Sequence, residues 1–427
     1  MIRKVLPALF ALSLSAQAAL AANCTSYPLP YTLTNGQTAD ATQVMANFND
    51  VINCVNALSA MTGPGSSVAG HLATFADTSG KVLQDGGPFS VSAQYLANSA
   101  VALGGTMLNG TIVPSNAANA LTFTIQTLAG ATPSATDPVY FVFRNAAAGT
   151  GNYSVISVTS ALSVTVPTSS TLGFSNNTPG RIWLTAINNS GTVELAVINC
   201  LTSTASSKSI YPLAGWGIVN TTALGGPSNS SGVFYSTIAR SSVPYGVLGY
   251  ASYETGLATA GTWNANPTRM EFYRPGVPLP GAVVQTVYGT NTGATTATSS
   301  TKVATNTTLS ITPTSAVNPI RARAEGAMQP PTSGVNTTQT AFAQIGRTSS
   351  SNVFGNIGFA RMFSDTNATF FTGSGCSVTL EGVDAPGVTS STTYTVYLWS
   401  NTSTSQWLGT VNSVALQSSM TLEEIMG

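Results

Sequence analysis

Cleaving a glycosidic bond takes two carboxylates facing each other across it. The chain carries fourteen acidic residues. Of these, Glu254, Glu271, Glu381 and Asp384 lie near aromatic-rich, strand-like runs. Glu381 and Asp384 stand three apart in Glu381-Gly382-Val383-Asp384, which reads as a turn-like stretch bearing two solvated carboxylates rather than a catalytic pair. Ser-His-Asp chemistry would have to use His71, the sole histidine, and no G-x-S-x-G elbow accompanies it. Gly225-Gly226 lacks the lysine and hydroxyl residue that a phosphate-cradling loop needs. One histidine and no CxxC spacing argue against zinc. Asp77 and Asp85 are too few to hold calcium and suit turn capping instead. The expectation is a protein that is not an enzyme, with no catalytic residues, no cofactor and no metal.

Aromatic side chains are the remaining functional material. Trp216, Trp263, Trp399 and Trp407, with Tyr245, Tyr250, Tyr253 and Tyr273, have flat faces that can stack on sugars. Most are expected in cores or subunit interfaces. Trp407, in the polar run Ser405-Gln406-Trp407-Leu408-Gly409, is the candidate for a surface receptor contact. Of the four cysteines, Cys24 and Cys54 flank the opening segment and are a possible disulfide that would staple an extended arm to a helix. Cys200 and Cys376 are left open between a bridge and buried thiols.

The elements that must position these residues are mostly strands. Only 7% of residues are charged, and Ser, Thr, Asn and Gly fill the polar positions, a composition of β-rich extracellular or virion proteins. Arg3-Lys4, the apolar run from Val5 to Leu14 and Ala19-Leu20-Ala21 read as a signal peptide over 1–22. Its removal leaves twelve basic against fourteen acidic residues, a net of about −2 with no basic patch. Nucleic acid is therefore excluded as a partner, as is membrane insertion after leader removal. The product is expected to be exported.

One helix stands out, in Ala39–Leu58. Val44, Phe48, Val51, Val55 and Leu58 are spaced four, three, four and three apart, a heptad seam. A seam so narrow cannot stabilise a lone helix and predicts packing against copies or a partner. Thr38 or Asp40 can cap it, and Thr62-Gly63-Pro64-Gly65 ends it. We read 23–62 as an arm and helix for attachment and oligomerisation. A linker or collar follows over 63–120, with a strand-turn piece at 71–87. A central β domain spans 121–280 and a C-terminal β-sandwich 282–427. The clearest hairpin is Arg181–Cys200, turning at Asn188-Asn189-Ser190-Gly191. Pro275-Gly276-Val277-Pro278-Leu279-Pro280-Gly281 reads as a stiff linker. The stretch 290–308 reads as a loop or weak hairpin, and 326–360 as a long loop region.

Several phrases resemble tail-fibre proteins of phages and prophages. Leu33-Thr34-Asn35-Gly36-Gln37-Thr38-Ala39-Asp40-Ala41, with Val44, Asn47, Phe48 and Asn49, is similar to an N-terminal fibre motif. The run His71–Gly87, HLATFADTSGKVLQDGG, resembles a recurring fibre segment. GRIWLTAINNSGTVELAVINC, IYPLAGWGI and VLGYASYETGLATAGTW are similar to a fibre domain without assigned function. VVQTVY, TPTSA, TYTVYLW and LEEI follow in the order seen in jelly-roll-like fibre heads, a class that is typically trimeric. The resemblance implies a mainly β fold with a short N-terminal helix, a central β domain and a jelly-roll-like head. It also implies a homotrimer that attaches to other tail or surface components through its N-terminal region and binds a host-surface glycan or protein. The location would be a virion tail if phage-encoded. An exported bacterial surface adhesin of prophage origin is the rival reading, and a glycan depolymerase a third.

Overall fold

The computed structural model describes residues 31–58 apart from 33, 35, 37 and 39, then 71–75, 83–88, 106–144, 153–203, 208–226, 228–329, 338–349, 351–363, 376–400, 405–407, 410–411 and 414–427. The fold is mainly β, with one short helix among the described residues. The chain divides into two compact units, Met1–Val91 and Ser92–Gly427.

In the first unit the helix spans Ala41–Leu58. Asp40 is its cap: its Oδ1 accepts from the Thr42 backbone N–H at 2.8 Å, and its carbonyl from Val44 N–H at 3.0 Å. The Thr42 bonds hold the Asp40 carboxyl below its ordinary range. Asn47 ties the preceding arm to the helix by two reciprocal bonds. Tyr31 N–H donates to Asn47 Oδ1 at 3.1 Å, and Asn47 Nδ2 donates to Tyr31 O at 2.8 Å. Val44 is half-buried, but Phe48 is 60% exposed, and Met45, Val51 and Ile52 are exposed beside it. The side chains of Val55, Leu58 and Cys54, and all of Cys24, lie outside the described residues, as do 1–22. His71–Phe75 pairs antiparallel with Leu83–Pro88, the hairpin expected over 71–87.

The second unit opens with a hairpin upstream of residue 121. Gly110–Ala117 pairs with Ala120–Thr127 around a two-residue turn, Ala118 and Asn119, both at positive φ. The spacer expected to run to 120 thus already contains part of the β domain. The strand Gly110–Ala117 buries only Ile112 fully and shows no alternation in its sequence, so it did not stand out. Leu162–Val166 joins this hairpin, and Val139–Arg144 forms a second three-stranded sheet with Met107–Leu108 and Tyr153–Val158. Both cover one face of a larger sheet in the order Trp216–Val219, Val243–Tyr253, Gly180–Asn189, Thr192–Ile198, Tyr235–Ser236 and Thr222–Ala223. Arg269–Phe272 also pairs with Val243–Tyr253. The central hairpin turns at Ser190 and Gly191, both at positive φ, a primed turn that matches strand twist.

Gly180–Asn189 is buried on both faces, which explains its run of Ile182, Trp183, Leu184, Ala186 and Ile187 broken only by Thr185. Ile182, Leu184 and Ala186 enter a core with Phe123, Phe141, Phe143 and Trp263. Trp183 and Ile187 face the other way, into a core with Tyr245, Tyr250, Phe234 and Met426.

Residues 282–427 form a sandwich of two antiparallel sheets. Eight principal strands are Val283–Asn291, Val303–Ile311, Ile320–Gln329, Thr338–Arg347, Val353–Phe363, Cys376–Asp384, Thr392–Ser400 and Ser418–Ile425. One sheet orders them first, eighth, third, sixth, and the other second, seventh, fourth, fifth. That is the wrap of a jelly roll. Ile311, Ala322, Ala324, Ile345, Leu380, Val396, Leu398 and Leu422 fill the space between the sheets. The stretches read as loops at 290–308 and 326–360 carry Thr295–Ala297, most of Val303–Ile311 and Val353–Phe363, and all of Thr338–Arg347. Thr, Gly and Ala there alternate around a thin apolar stripe, so the period was masked by small residues.

The proline-rich run 275–281 is packed rather than free. Val277 and Leu279 lie against the second core of the central sheet, and Gly281 N–H donates to Met426 O at 2.9 Å. The junction is held by Arg181, 1% exposed. Its Nε donates to Ser252 Oγ, its Nη1 to Asn318 Oδ1 and Gly427 O, and its Nη2 to Ser315 Oγ, each at 2.9 Å. The guanidinium lies over the Tyr250 ring at 4.4 Å. Ser315 Oγ in turn donates to Glu254, and Asn318 Nδ2 to the fully buried Glu424 at 2.7 Å. Burial lowers the pKa of Arg181 to about 10, so it stays charged at neutral pH.

Candidate functional site

The four carboxylates singled out in sequence do not converge. Glu381 and Asp384 lie on one strand, Cys376–Asp384, not on a turn. A three-residue offset on a strand points them to opposite faces. Glu381 is exposed, whereas Asp384 is buried, accepts from Tyr394 Oη at 2.9 Å and pairs with Arg347 at 3.1 Å. Burial, reinforced by Asp384, pushes the Tyr394 phenol well above its ordinary range. Glu254 belongs to the junction around Arg181. Glu271 pairs with Arg274 at 3.1 Å and Arg269 at 3.8 Å. The side chain of His71 lies outside the described residues.

Trp407 is not a surface contact. It is fully buried on the strand Ser405–Trp407, and its Nε1 donates to Thr307 Oγ1 at 2.8 Å. The polar flanks that suggested a loop are strand residues pairing with Thr295–Ala297. Trp263, Tyr245, Tyr250 and Tyr253 are buried as well, and Tyr273 and Trp399 are half-buried. Trp216 is exposed, with Arg144 stacked 3.7 Å over its ring. Cys200 and Cys376 are free thiols, the first buried and the second exposed. Burial drives the Cys200 thiol far above its ordinary value.

A groove of about 330 Å³ opens on the outer face of the first head sheet. This is at the small end of the range for ligand sites, roughly 300–1,000 Å³. Strand register builds it. Thr290 lies opposite Ser419, and Ser419 opposite Glu325. Ala327 lies opposite Ser377. Tyr288, two residues before Thr290 and so on the same face, closes one side with 64% of its surface exposed. Gln417 is exposed at the rim. Glu325 is the one carboxylate among the lining residues and pairs with Arg323 at 2.5 Å. Both partners are about half exposed, so the pair adds little stability.

Trp407 is the floor beneath this groove. Gly326 lines the opening, and a Cβ there would sit 2.5 Å from the Trp407 ring. Thr307, held by Trp407, shares a 2.6 Å bond with Ser418, the residue before Ser419. Tyr288, Glu325 and Gln417 escaped the sequence reading. The available signal was the two-residue period of Val283–Asn291 against Ser418–Ile425: with Val287 and Leu422 inward, Tyr288 must point out.

The chain matches no protein-family model and no curated protein. Among solved structures it is similar to the infectious bursal disease virus Gt strain, at 10% identity and a TM-score of 0.22, over 75% of this chain and 78% of that one. It is also similar to the VP2 subviral particle of infectious bursal disease virus, at 9% identity and 0.19, over 75% and 82%. A Cry1Da tryptic core variant of Bacillus thuringiensis follows at 10% identity and 0.16, over 75% and 50%. TM-scores this low carry no argument about role, and what stands is a mainly β chain with a jelly-roll-like head.

Proposed function

We propose that the chain is a structural, fibre-like protein of phage or prophage origin that binds a host-cell surface glycan as a multivalent homotrimer, without cleaving it. The observation that carries this reading is the polar groove with an exposed tyrosine on the outer face of a jelly-roll head. The head is seated on a second β domain through a buried polar junction, which gives a receptor site a stiff mount. Two apolar surfaces support self-association. One is the helix face bearing Met45, Phe48, Val51 and Ile52. The other is a row across the second head sheet, where Phe342 lies opposite both Phe359 and Trp399 and stacks on Trp399 at 5.5 Å. Three weak sites on one trimer would gain roughly 10²–10⁴ in avidity.

In this reading residues 1–22 direct export and 23–62 engage tail or surface components. The leader favours the rival reading, a surface adhesin of prophage origin, since virion parts normally assemble in the cytoplasm, and the two separate on whether the protein is found in particles or on the cell exterior. A depolymerase has one observation in its favour: Glu325 lies opposite Thr379, and Glu381 opposite Arg323, so the two glutamates are diagonal neighbours on one face. Both are exposed, whereas the general acid of a glycosidase sits in apolar surroundings. The test is sedimentation of the mature protein together with binding of the labelled protein to host cells. A mass near three times that of the chain and saturable binding without release of reducing sugar are expected. A monomer that ignores the cells would overturn the proposal.

A further inference from the structure

We infer that the head groove is a site for an uncharged pyranose, with Tyr288 as its stacking platform. This rests on the adhesive reading above and names the ligand class and the residues of that same site. A pyranose has an apolar face of C–H groups and a rim of hydroxyls that each donate and accept. Its site therefore needs one flat apolar surface and a ring of mixed hydrogen-bonding groups.

The groove supplies both. Tyr288 is anchored at its backbone by the continuous pairing of Gln285–Asn291 with Ser418–Glu424, yet most of its ring is open. An aromatic fixed at its base loses little freedom when a ligand covers it. Around it stand a carboxylate on Glu325, an amide on Gln417 and hydroxyls on Thr290, Ser377 and Ser419. The carboxylate accepts from paired sugar hydroxyls, and the amide both donates and accepts. Strand pairing holds Tyr288, Thr290, Ser419, Glu325 and Ser377 in fixed rows, and Gln417 directly precedes the strand that carries Ser419.

The charge pattern selects against acidic sugars and phosphates. Among the described residues no lysine or arginine lines the groove, and its one ionisable side chain apart from the Tyr288 phenol is a carboxylate. Arg323, the nearest cation along the strand, is already paired with Glu325. An anionic ligand would meet an acceptor-only group where it needs a donor.

The inference is tested with the full mature protein on an array of neutral and anionic oligosaccharides, followed by saturation-transfer NMR with methyl glucoside, methyl galactoside and methyl mannoside. Binding to neutral members is expected. Tyr288→Ala should weaken it at least about tenfold, as truncating an aromatic anchor does. Tyr288→Phe should keep most of it. Ser377→Trp, which fills the groove from its exposed far wall, should abolish it with the fold and oligomeric state unchanged. Absence of neutral-sugar binding, a preference for anionic members, or binding indifferent to Tyr288→Ala and Ser377→Trp each overturns the inference. Cell adhesion is scored separately. Adhesion that survives both variants removes the groove but leaves the adhesive role, whereas sugar binding without adhesion does the reverse.

Discussion

Replacing Arg181 by methionine keeps much of the side chain's bulk and removes its charge and its donors. In the folded protein that strips donors from Ser252 Oγ, Asn318 Oδ1, Ser315 Oγ and Gly427 O at one stroke. It also leaves Glu424, which is fully buried, and Glu254 without the cation they share through Asn318 and Ser315. Removing one partner from a buried charged network costs about 3–5 kcal/mol. Glu424 keeps its bonds from the Thr314 and Ser315 amides, Asn318 and Gln285, so about 4 kcal/mol is the expectation and not more. Against a total of roughly 5–15 kcal/mol this is a large share. Urea unfolding followed by tryptophan fluorescence reads it, because Trp183 donates to Gly427 O at the junction. The expected result is an earlier transition that splits in two as head and central domain lose their coupling. Glu424→Gln in the Arg181→Met background should cost far less than in the parent. A loss under about 1 kcal/mol with a single sharp transition would refute the reasoning, since a buried guanidinium at the centre of a coupling network cannot be dispensable.

Three further outcomes are expected. Gly326→Ala presses on the Trp407 ring and should destabilise the head by about 1–3 kcal/mol, measured by thermal unfolding, while lifting the groove floor. Burial raises the Tyr245 phenol to about 12 and the Tyr253 and Tyr394 phenols higher still. The folded state then holds protons that the unfolded state has lost above pH about 10, so stability is full below that value and falls as pH rises through 10 to 12. Alkaline absorbance titration should show part of the tyrosinate signal appearing only with unfolding, and its gradual appearance in a folded chain would count against the burial. Phe48→Asp places a charge on the exposed helix face and should lower the sedimenting mass toward the monomer, and an unchanged mass would remove the helix from the assembly.

The sequence yielded the class of fold because alternation and turn chemistry were strong where it mattered. Asn188–Gly191 fixed the central hairpin, whose arms pair from Trp183 to Ile198. It failed where small residues carry the period: the Thr- and Ala-rich strands at 303–311 and 338–347 read as loop, since alternation between Ala and Thr changes hydrophobicity too little to register. The candidate site was legible only in hindsight of register. Trp407 looked exposed because its neighbours are polar, but on a strand polar neighbours are what a buried residue has. Arg181 was invisible as a junction residue, because its partners lie 71 to 246 positions away along the chain.

That separation sets an order of events during synthesis. The central sheet can pair all its strands once residues 180–272 have left the ribosome, but the face bearing Arg181, Trp183 and Tyr250 stays uncovered until 315–318 and then 424–427 arrive. Long-range closure of this kind is slow and leaves an apolar surface open in the meantime. A chain interrupted before its last strand therefore presents a wet guanidinium amid bare aromatics, an apolar face open to non-native association.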